Sequence, residues 1–154
     1  MRNKQKGFSL IELLIVVAII LIIAAIAIPN LLRSKIAANQ SSAVGSLRTL
    51  NTACIAFSTS YGQYPAALTN LGPVGSGTAS STSADLIDSV LSAGTKSGYT
   101  FKYTAGNANQ SYTITATPIT AATTGQSMYF TDQSGVIRVD TSGSGASNAS
   151  TPIG

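Results

Sequence analysis

The segment that decides the fold is KGFSLIELLIVVAIILIIAAIAIPN, residues 6–30. Its stretch from Leu13 to Ile28 is 16 residues long and has no polar side chain. The span from Phe8 to Ile28 is 21 residues, close to the roughly 20 that a helix needs to cross a bilayer. The segment therefore predicts a membrane-length helix, and Glu12 carries the one charged side chain between Phe8 and Ile28.

Three meanings of this segment have to be compared: a secretory signal, a plain membrane anchor and a filament-forming helix. Ala25-Ile26-Ala27 has the small-residue pattern of a signal cleavage site. The length of the segment and the presence of Glu12 argue against that reading. A plain anchor explains the length, and the basic residues Arg2, Lys4 and Lys6 predict a cytoplasmic N-terminal side. It leaves Glu12 unexplained.

The carboxylate of Glu12 needs a positive partner, because an ionised acid among lipid-facing residues is costly and is normally functional. No Lys or Arg lies between Gly7 and Arg33. The cation must therefore come from the basic N-terminus, from lipid headgroups or from another chain.

The stretch from Lys6 to Leu13 resembles the class III signal of type IV prepilins and pseudopilins. The resemblance covers roughly residues 4–65. It implies that a prepilin peptidase cleaves between Gly7 and Phe8 and N-methylates Phe8, so that Glu12 becomes the fifth residue. It also implies a homopolymer of the chain itself, an inner-membrane assembly machinery, and membrane lipid around the subunit before assembly.

Cleavage would create an α-amino group at Phe8, which is a candidate partner for Glu12 of a neighbouring subunit. Such a pair would fix the axial register of otherwise uniform apolar helices. Pro29 is the third residue expected to matter for assembly, because its ring predicts a kink, with a helix stop as the alternative. Apolar spacing resumes after it and predicts one helix from Phe8 to Tyr61, about 80 Å long.

Composition excludes several kinds of chemistry. The sequence has no His and a single cysteine, Cys54, so an intrachain disulfide and His-based catalysis are impossible. Without the three basic residues before Gly7 the net charge falls to +1, too low for a general nucleic-acid surface. We therefore expect no enzyme, no cofactor, no metal and no nucleic-acid partner.

Two weaker alternatives remain in the C-terminal part. The pairs Asp85 with Asp88 and Asp132 with Asp140 offer too few oxygens for calcium and are interpreted as solvated acids and turn residues. The aromatic residues of 99–103 alternate with polar ones, so core packing explains them better than base stacking does.

The C-terminal part predicts a small sheet packed on the second half of the helix. Strands are expected around 99–103, 112–116, 128–130 and 136–139, and a short helix is expected from Ser83 to Leu91 with Ser83 as its N-cap. Residues 141–154 lack a core-forming run and predict a flexible tail. The fold class is thus α+β, the pilin fold.

The predicted organisation is a leader at 1–7, a membrane and filament-core segment at 8–30, a globular domain at 31–140 and the tail. The function predicted is a structural subunit of a type IV pilus. It would lie in the inner membrane as a single-pass precursor and later in an extracellular filament. A major-type pseudopilin of type II secretion and a monomeric membrane-anchored binding module are the alternatives. The resemblance is incomplete for both subtypes. Cys54 alone cannot form the disulfide of many type IV pilins, and the sequence lacks the acidic cluster of the calcium site in major pseudopilins.

Overall fold

The computed structural model of the chain describes residues 7–153. The basic residues Arg2, Lys4 and Lys6 and nearly all of the predicted leader lie outside this range. The chain divides into two compact units, Met1–Ser34 and Lys35–Gly154. The elements are α1 Leu10–Tyr61, α2 Ser89–Ser92, β1 Thr95–Lys96, β2 Tyr99–Ala105, β3 Tyr112–Pro118, β4 Met128–Asp132, β5 Arg138–Asp140 and β6 Thr151–Pro152.

The long helix α1 has 52 residues and contributes to both units. It continues through Pro29, so the alternative of a helix stop is wrong, whereas the predicted kink stays a prediction. One missing N–H and one crowded carbonyl cost less than the hydrogen bonds that continue on both sides. By length and composition α1 is able to cross a membrane, as its apolar run predicts.

The end of α1 is set by Gly62. This residue has φ +76°, and its N–H donates to the carbonyl of Ser58 at 2.8 Å. A left-handed residue directly after the last turn satisfies a carbonyl that would otherwise lack a partner. Glycine adopts this conformation without the steric cost that a Cβ brings.

The sheet has six strands in the order β1-β2-β3-β4-β5-β6, and every neighbouring pair is antiparallel. In the longest pairing, Phe101 lies opposite Ala116 and Tyr103 lies opposite Ile114. Buried and exposed residues alternate along the first part of β2, which buries one face of the strand. The strands predicted around 99–103, 112–116 and 128–130 are confirmed, and the last one begins at Arg138 instead of Val136.

One hydrophobic core joins the second half of α1 to this sheet. From α1 it takes Ala43, Leu47, Leu50, Cys54 and Phe57. The sheet contributes Tyr99, Phe101, Tyr112, Ile114 and Tyr129, and the segment between α1 and β1, which includes α2, contributes Leu71, Ile87 and Leu91. Each large apolar side chain buried in this way contributes about 1.5–3 kcal/mol. The α+β fold class and the apolar stripe on α1 are therefore confirmed.

The predicted helix from Ser83 to Leu91 is wrong at its start, because α2 spans only Ser89–Ser92. Its N-cap is Asp88, whose carboxylate accepts from the Leu91 N–H at 2.7 Å. The N–H groups of residues 84–87 instead donate to carbonyls of residues 70–72. Asp85 has a left-handed φ of +54°, and the Ile87 N–H donates to the Leu71 carbonyl instead of the Ser83 carbonyl, so the backbone is not helical from Ser83.

Residues 141–153, the described part of the expected flexible tail, contain a paired strand. Within them β6 pairs with β5, with Val139 opposite Thr151. The N–H of Ile153 donates to the carbonyl of Ile137 at 2.8 Å, and the side chain of Ile153 packs against the core. A single apolar residue at the end of a polar stretch is enough to hold the strand, which composition alone could not reveal.

Candidate functional site

The predicted processing bond joins Gly7 to Phe8 in the non-helical residues 7–9 that precede α1. The Phe8 side chain is 87% exposed. A Cβ placed at Gly7 would have no atom within 4 Å. The bond therefore lies in an open, non-helical stretch, the conformation in which a peptidase can reach a backbone.

Glu12 lies in the first turn of α1. One of its carboxylate oxygens accepts from the Ser9 N–H at 2.9 Å. This bond satisfies one of the free N–H groups at the helix start, and a negative charge there interacts favourably with the helix dipole. Within residues 7–153 no cation forms an ion pair with Glu12. The carboxylate therefore retains the capacity to meet a positive group from another molecule.

The apolar segment Leu10–Leu32 of α1 exposes nearly all of its large side chains. Fourteen of the sixteen from Leu10 to Leu32 are at least half exposed, and Val17 and Leu32 fall just below that. An apolar surface of this size is unstable in water. It has to be covered by lipid or by other apolar helices.

In each of the two acidic pairs, one carboxylate is already engaged by groups of its own chain. Asp88 accepts from Leu91 and from the Lys96 ammonium at 2.8 Å. The hydrogen bond from Lys96 is the main reason that the pKa of Asp88 is lowered from its ordinary value. Asp140 accepts from the Ser142 hydroxyl and N–H and from the Gly145 N–H. The Ser142 hydroxyl is the main cause of the lowered pKa of Asp140.

The aromatic residues of β2 are used inside the domain. Tyr99 and Phe101 are buried, and the Tyr99 hydroxyl donates to the Ser127 carbonyl at 2.9 Å. Tyr103 stacks on Tyr112 with ring centroids 5.8 Å apart, and burial raises the pKa of both tyrosines. These rings take part in core packing, as the alternation along β2 predicts.

A buried polar cluster ties α1 to the sheet, and sequence reasoning missed it. Asn51 is 6% exposed. Its amide nitrogen donates to the Thr131 hydroxyl oxygen at 2.8 Å, and its amide oxygen accepts from the Tyr112 hydroxyl at 3.0 Å. The available signal was the position of Asn51, one turn after Leu47 on the apolar stripe. We refer to Asn51, Tyr112 and Thr131 as the Asn51 cluster.

Cys54 lies beyond the apolar segment and is fully buried in the core. Burial raises the pKa of its thiol to about 12. A neutral, inaccessible thiol is a packing residue with little reactivity.

Two grooves adjoin α1 within the second unit. The larger one, about 470 Å³, is lined by Gln40, Val44 and Arg48 together with Tyr129, Val139 and Ile153. The smaller one, about 370 Å³, is the Leu86 groove, which is lined by Arg48, Thr49, Thr52, Ala53, Ala56 and Leu86. Both have exposed polar rims and apolar walls, which suits contact with another protein surface.

Comparison with known proteins locates the similarity at the N-terminus. The sequence model of the prokaryotic N-terminal methylation motif matches residues 2–28. The type IV major pilin protein PilA of Myxococcus xanthus is 54% identical over 50 residues, 32% of this chain and 23% of that protein. The type IV wide pilus major component PilA4 of Thermus thermophilus is 63% identical over 41 residues, 27% and 30% of the two chains.

A second group of relatives comes from type II secretion. The type II secretion system core protein G of Escherichia coli is 33% identical over 63 residues, 41% of this chain and 43% of that protein. The matched part thus spans less than half the length of each of these relatives. No solved structure matches the chain.

Proposed function

We infer that this chain, whose N-terminus carries the methylation segment found in type IV pilins and pseudopilins, is a structural subunit of a type IV pilus. The observation that carries the inference is the exposed apolar segment Leu10–Leu32 with a single acid, Glu12, at its beginning. In a filament most of the segment is covered by the same segment of other subunits. Apolar burial of about 25 cal/mol per Å² then supplies the adhesion.

Processing is the first step of this function. A prepilin peptidase cleaves between Gly7 and Phe8 and methylates the new α-amino group. Cleavage removes Arg2, Lys4 and Lys6, the charges that orient the precursor in the inner membrane. It leaves a short positive chain end at Phe8, beside the apolar surface that will be buried.

Pairing is the second step. The α-amino group of Phe8 in one subunit meets the carboxylate of Glu12 in the next. In a low-dielectric filament core an unpaired ion is strongly disfavoured, whereas a hydrogen-bonded pair is tolerated. The Ser9 N–H bond holds the Glu12 carboxylate in the first turn, so it is already oriented when the neighbour arrives. The inner-membrane assembly machinery moves the subunit from lipid into this packing, and the filament extends from the cell surface.

Glu12 variants test the inference. We expect Glu12→Ala and Glu12→Gln to be cleaved normally but to yield little sheared surface filament, because both remove the charge and keep the apolar surface. Lys102→Gln is the control, since it removes an exposed charge on β2, outside both grooves, and should keep most of the yield. A normal filament yield from Glu12→Gln would contradict the charge-pairing mechanism.

A pseudopilin of a type II secretion system is the second candidate, favoured by the similarity to core protein G. It would use the same processing and pairing to form a short fibre within the envelope. Mechanical shearing of filaments from the cell surface distinguishes the two candidate functions. Abundant sheared filaments containing this chain support the pilus subunit, whereas a trace amount confined to the envelope supports the pseudopilin.

A further inference from the structure

The loop that contains Asp85 and Leu86 is held rigidly at the surface. The N–H groups of Ala84 and Asp85 donate to the carbonyls of Asn70 and Gly72, and those of residues 86 and 87 both donate to the Leu71 carbonyl. Ala84 and Ile87 are buried, while the two residues between them are exposed. Asp85 has φ +54°, a left-handed conformation that is unusual for a residue other than glycine. Such strain persists where the surroundings enforce it, and it clusters at functional surfaces.

The carboxylate of Asp85 is the least satisfied acid in the described part of the chain. Glu12, Asp88, Asp132 and Asp140 each accept at least one hydrogen bond. Asp85 accepts none from residues 7–153 and forms no ion pair with them. A fixed, exposed carboxylate without a partner has its full capacity available for a cation from another molecule.

An exposed apolar residue stands next to this charge. Leu86 is 39% exposed and forms one wall of the Leu86 groove. The other lining residues belong to α1; apart from Arg48 they have short side chains, among them Thr52 and Ala56. Short side chains allow another helix to approach closely. The surface therefore offers an acid beside an apolar groove.

The complementary pattern occurs on α1 itself, at residues 31–35. Leu31 and Leu32 are 71% and 42% exposed. Lys35 is exposed and lies one turn after Leu31, so the two share a face of the helix. Arg33 lies two residues from Leu31 and points to another side. No acid within residues 7–153 pairs with Lys35, so this face presents a free cation beside a leucine.

We propose that the Asp85–Leu86 loop of one subunit docks on the Leu31–Lys35 face of α1 in a second copy of the chain. Leucine side chains of that face enter the Leu86 groove, and the Lys35 ammonium pairs with the Asp85 carboxylate. Arg48 also lines the groove and repels a second cation, so the pairing depends on Asp85. The proposal rests on the filament function inferred above and adds to it a contact made by the globular domain.

A charge-swap experiment tests this contact. Cells express Asp85→Lys, Lys35→Asp or the double variant, and the ratio of subunit in sheared filaments to total subunit is measured. We expect each single change to lower that ratio roughly fivefold or more, because exposed ion pairs reach about that factor in an equilibrium constant and the contact repeats along the filament. The double variant should return to within about twofold of the unaltered chain, since the pair is restored in reverse.

The matched control is Asp85→Lys combined with Lys102→Asp. It has the same net charge as the swap, but its new acid lies on β2, away from α1 residues 31–35 in sequence. We expect it to behave like Asp85→Lys alone. The proposal is overturned if the single changes leave the ratio unaltered, if the swap is no better than the singles, or if the control restores filaments equally well. An unaltered chain that forms no filaments would instead refute the proposed function.

Discussion

Replacing Asn51 by alanine is expected to lower the free energy of unfolding by roughly 4 kcal/mol. In the native domain the Asn51 amide bonds to Thr131 at 2.8 Å, to the Gly135 carbonyl at 3.3 Å and to Tyr112 at 3.0 Å. Alanine leaves the hydroxyls of Tyr112 and Thr131, both almost completely buried, without this partner. Each such loss costs about 1 to 3 kcal/mol, a large share of the 5–15 kcal/mol by which domains are typically stable.

The measurement is denaturant unfolding of the full chain in detergent micelles. The chain has six tyrosines and no tryptophan, so near-ultraviolet circular dichroism of tyrosine reports the domain. Asn148→Ala is the control, because Asn148 is exposed and exposed substitutions usually stay within about 0.5 kcal/mol.

A triple variant separates hydrogen bonding from volume. Asn51→Leu combined with Tyr112→Phe and Thr131→Val removes the whole Asn51 cluster and leaves only the carbonyl of Gly135, an exposed residue, without this donor. Replacing all partners by apolar groups of similar shape can be nearly neutral, so the triple variant should recover most of the lost stability. A loss of less than about 1 kcal/mol for Asn51→Ala would refute this account. A triple variant as unstable as the single one would contradict it equally.

Three further predictions concern single positions. Gly62→Ala should destabilise the domain by about 1 kcal/mol, because the φ of Gly62 is +76°. Gly45→Ala should stabilise it by about 0.5–1 kcal/mol, because Gly45 lies inside α1 with no atom near an added Cβ. Thermal unfolding in micelles should show a lower midpoint for the first variant and a higher one for the second. Cys54, with a thiol pKa of about 12, should resist alkylation at pH 8 until the domain is unfolded, and rapid labelling of the folded chain would contradict its burial. The ionised carboxylate of Asp140, whose pKa is lowered, stabilises the 140–145 loop fully at pH values above the ordinary pKa of 3.8, and this stabilisation is lost as the pH falls through the lowered pKa. Amide exchange at Gly145 should accelerate in that pH range, and Asp140→Asn should abolish this pH dependence.

The elements that sequence reasoning predicted well are those set by local pattern. The end of α1 at Tyr61 follows from Gly62, and the strand containing Phe101 follows from alternating residues. Both depend on residues close together in the chain. The passage of α1 through Pro29 could not be decided in this way, because a proline permits either a stop or continuation.

The elements predicted poorly depend on contacts between distant segments. The Ser83 N-cap was plausible locally, but the N–H groups that follow it bond to carbonyls of residues 70–72. The strand β6 forms because Ile153 reaches the core and the Ile137 carbonyl. The burial of Asn51 depends on Tyr112 and Thr131, which are 61 and 80 residues away. The place of Asn51 on the apolar stripe indicates its burial, but no local pattern identifies these partners.

Intact-mass analysis of sheared surface filaments tests the central claim most directly. The chain is expected there in abundance, with its first seven residues absent and Phe8 at the N-terminus carrying one added methyl group. A chain that still begins at Met1, or that occurs only as a monomer in the membrane, would contradict the account.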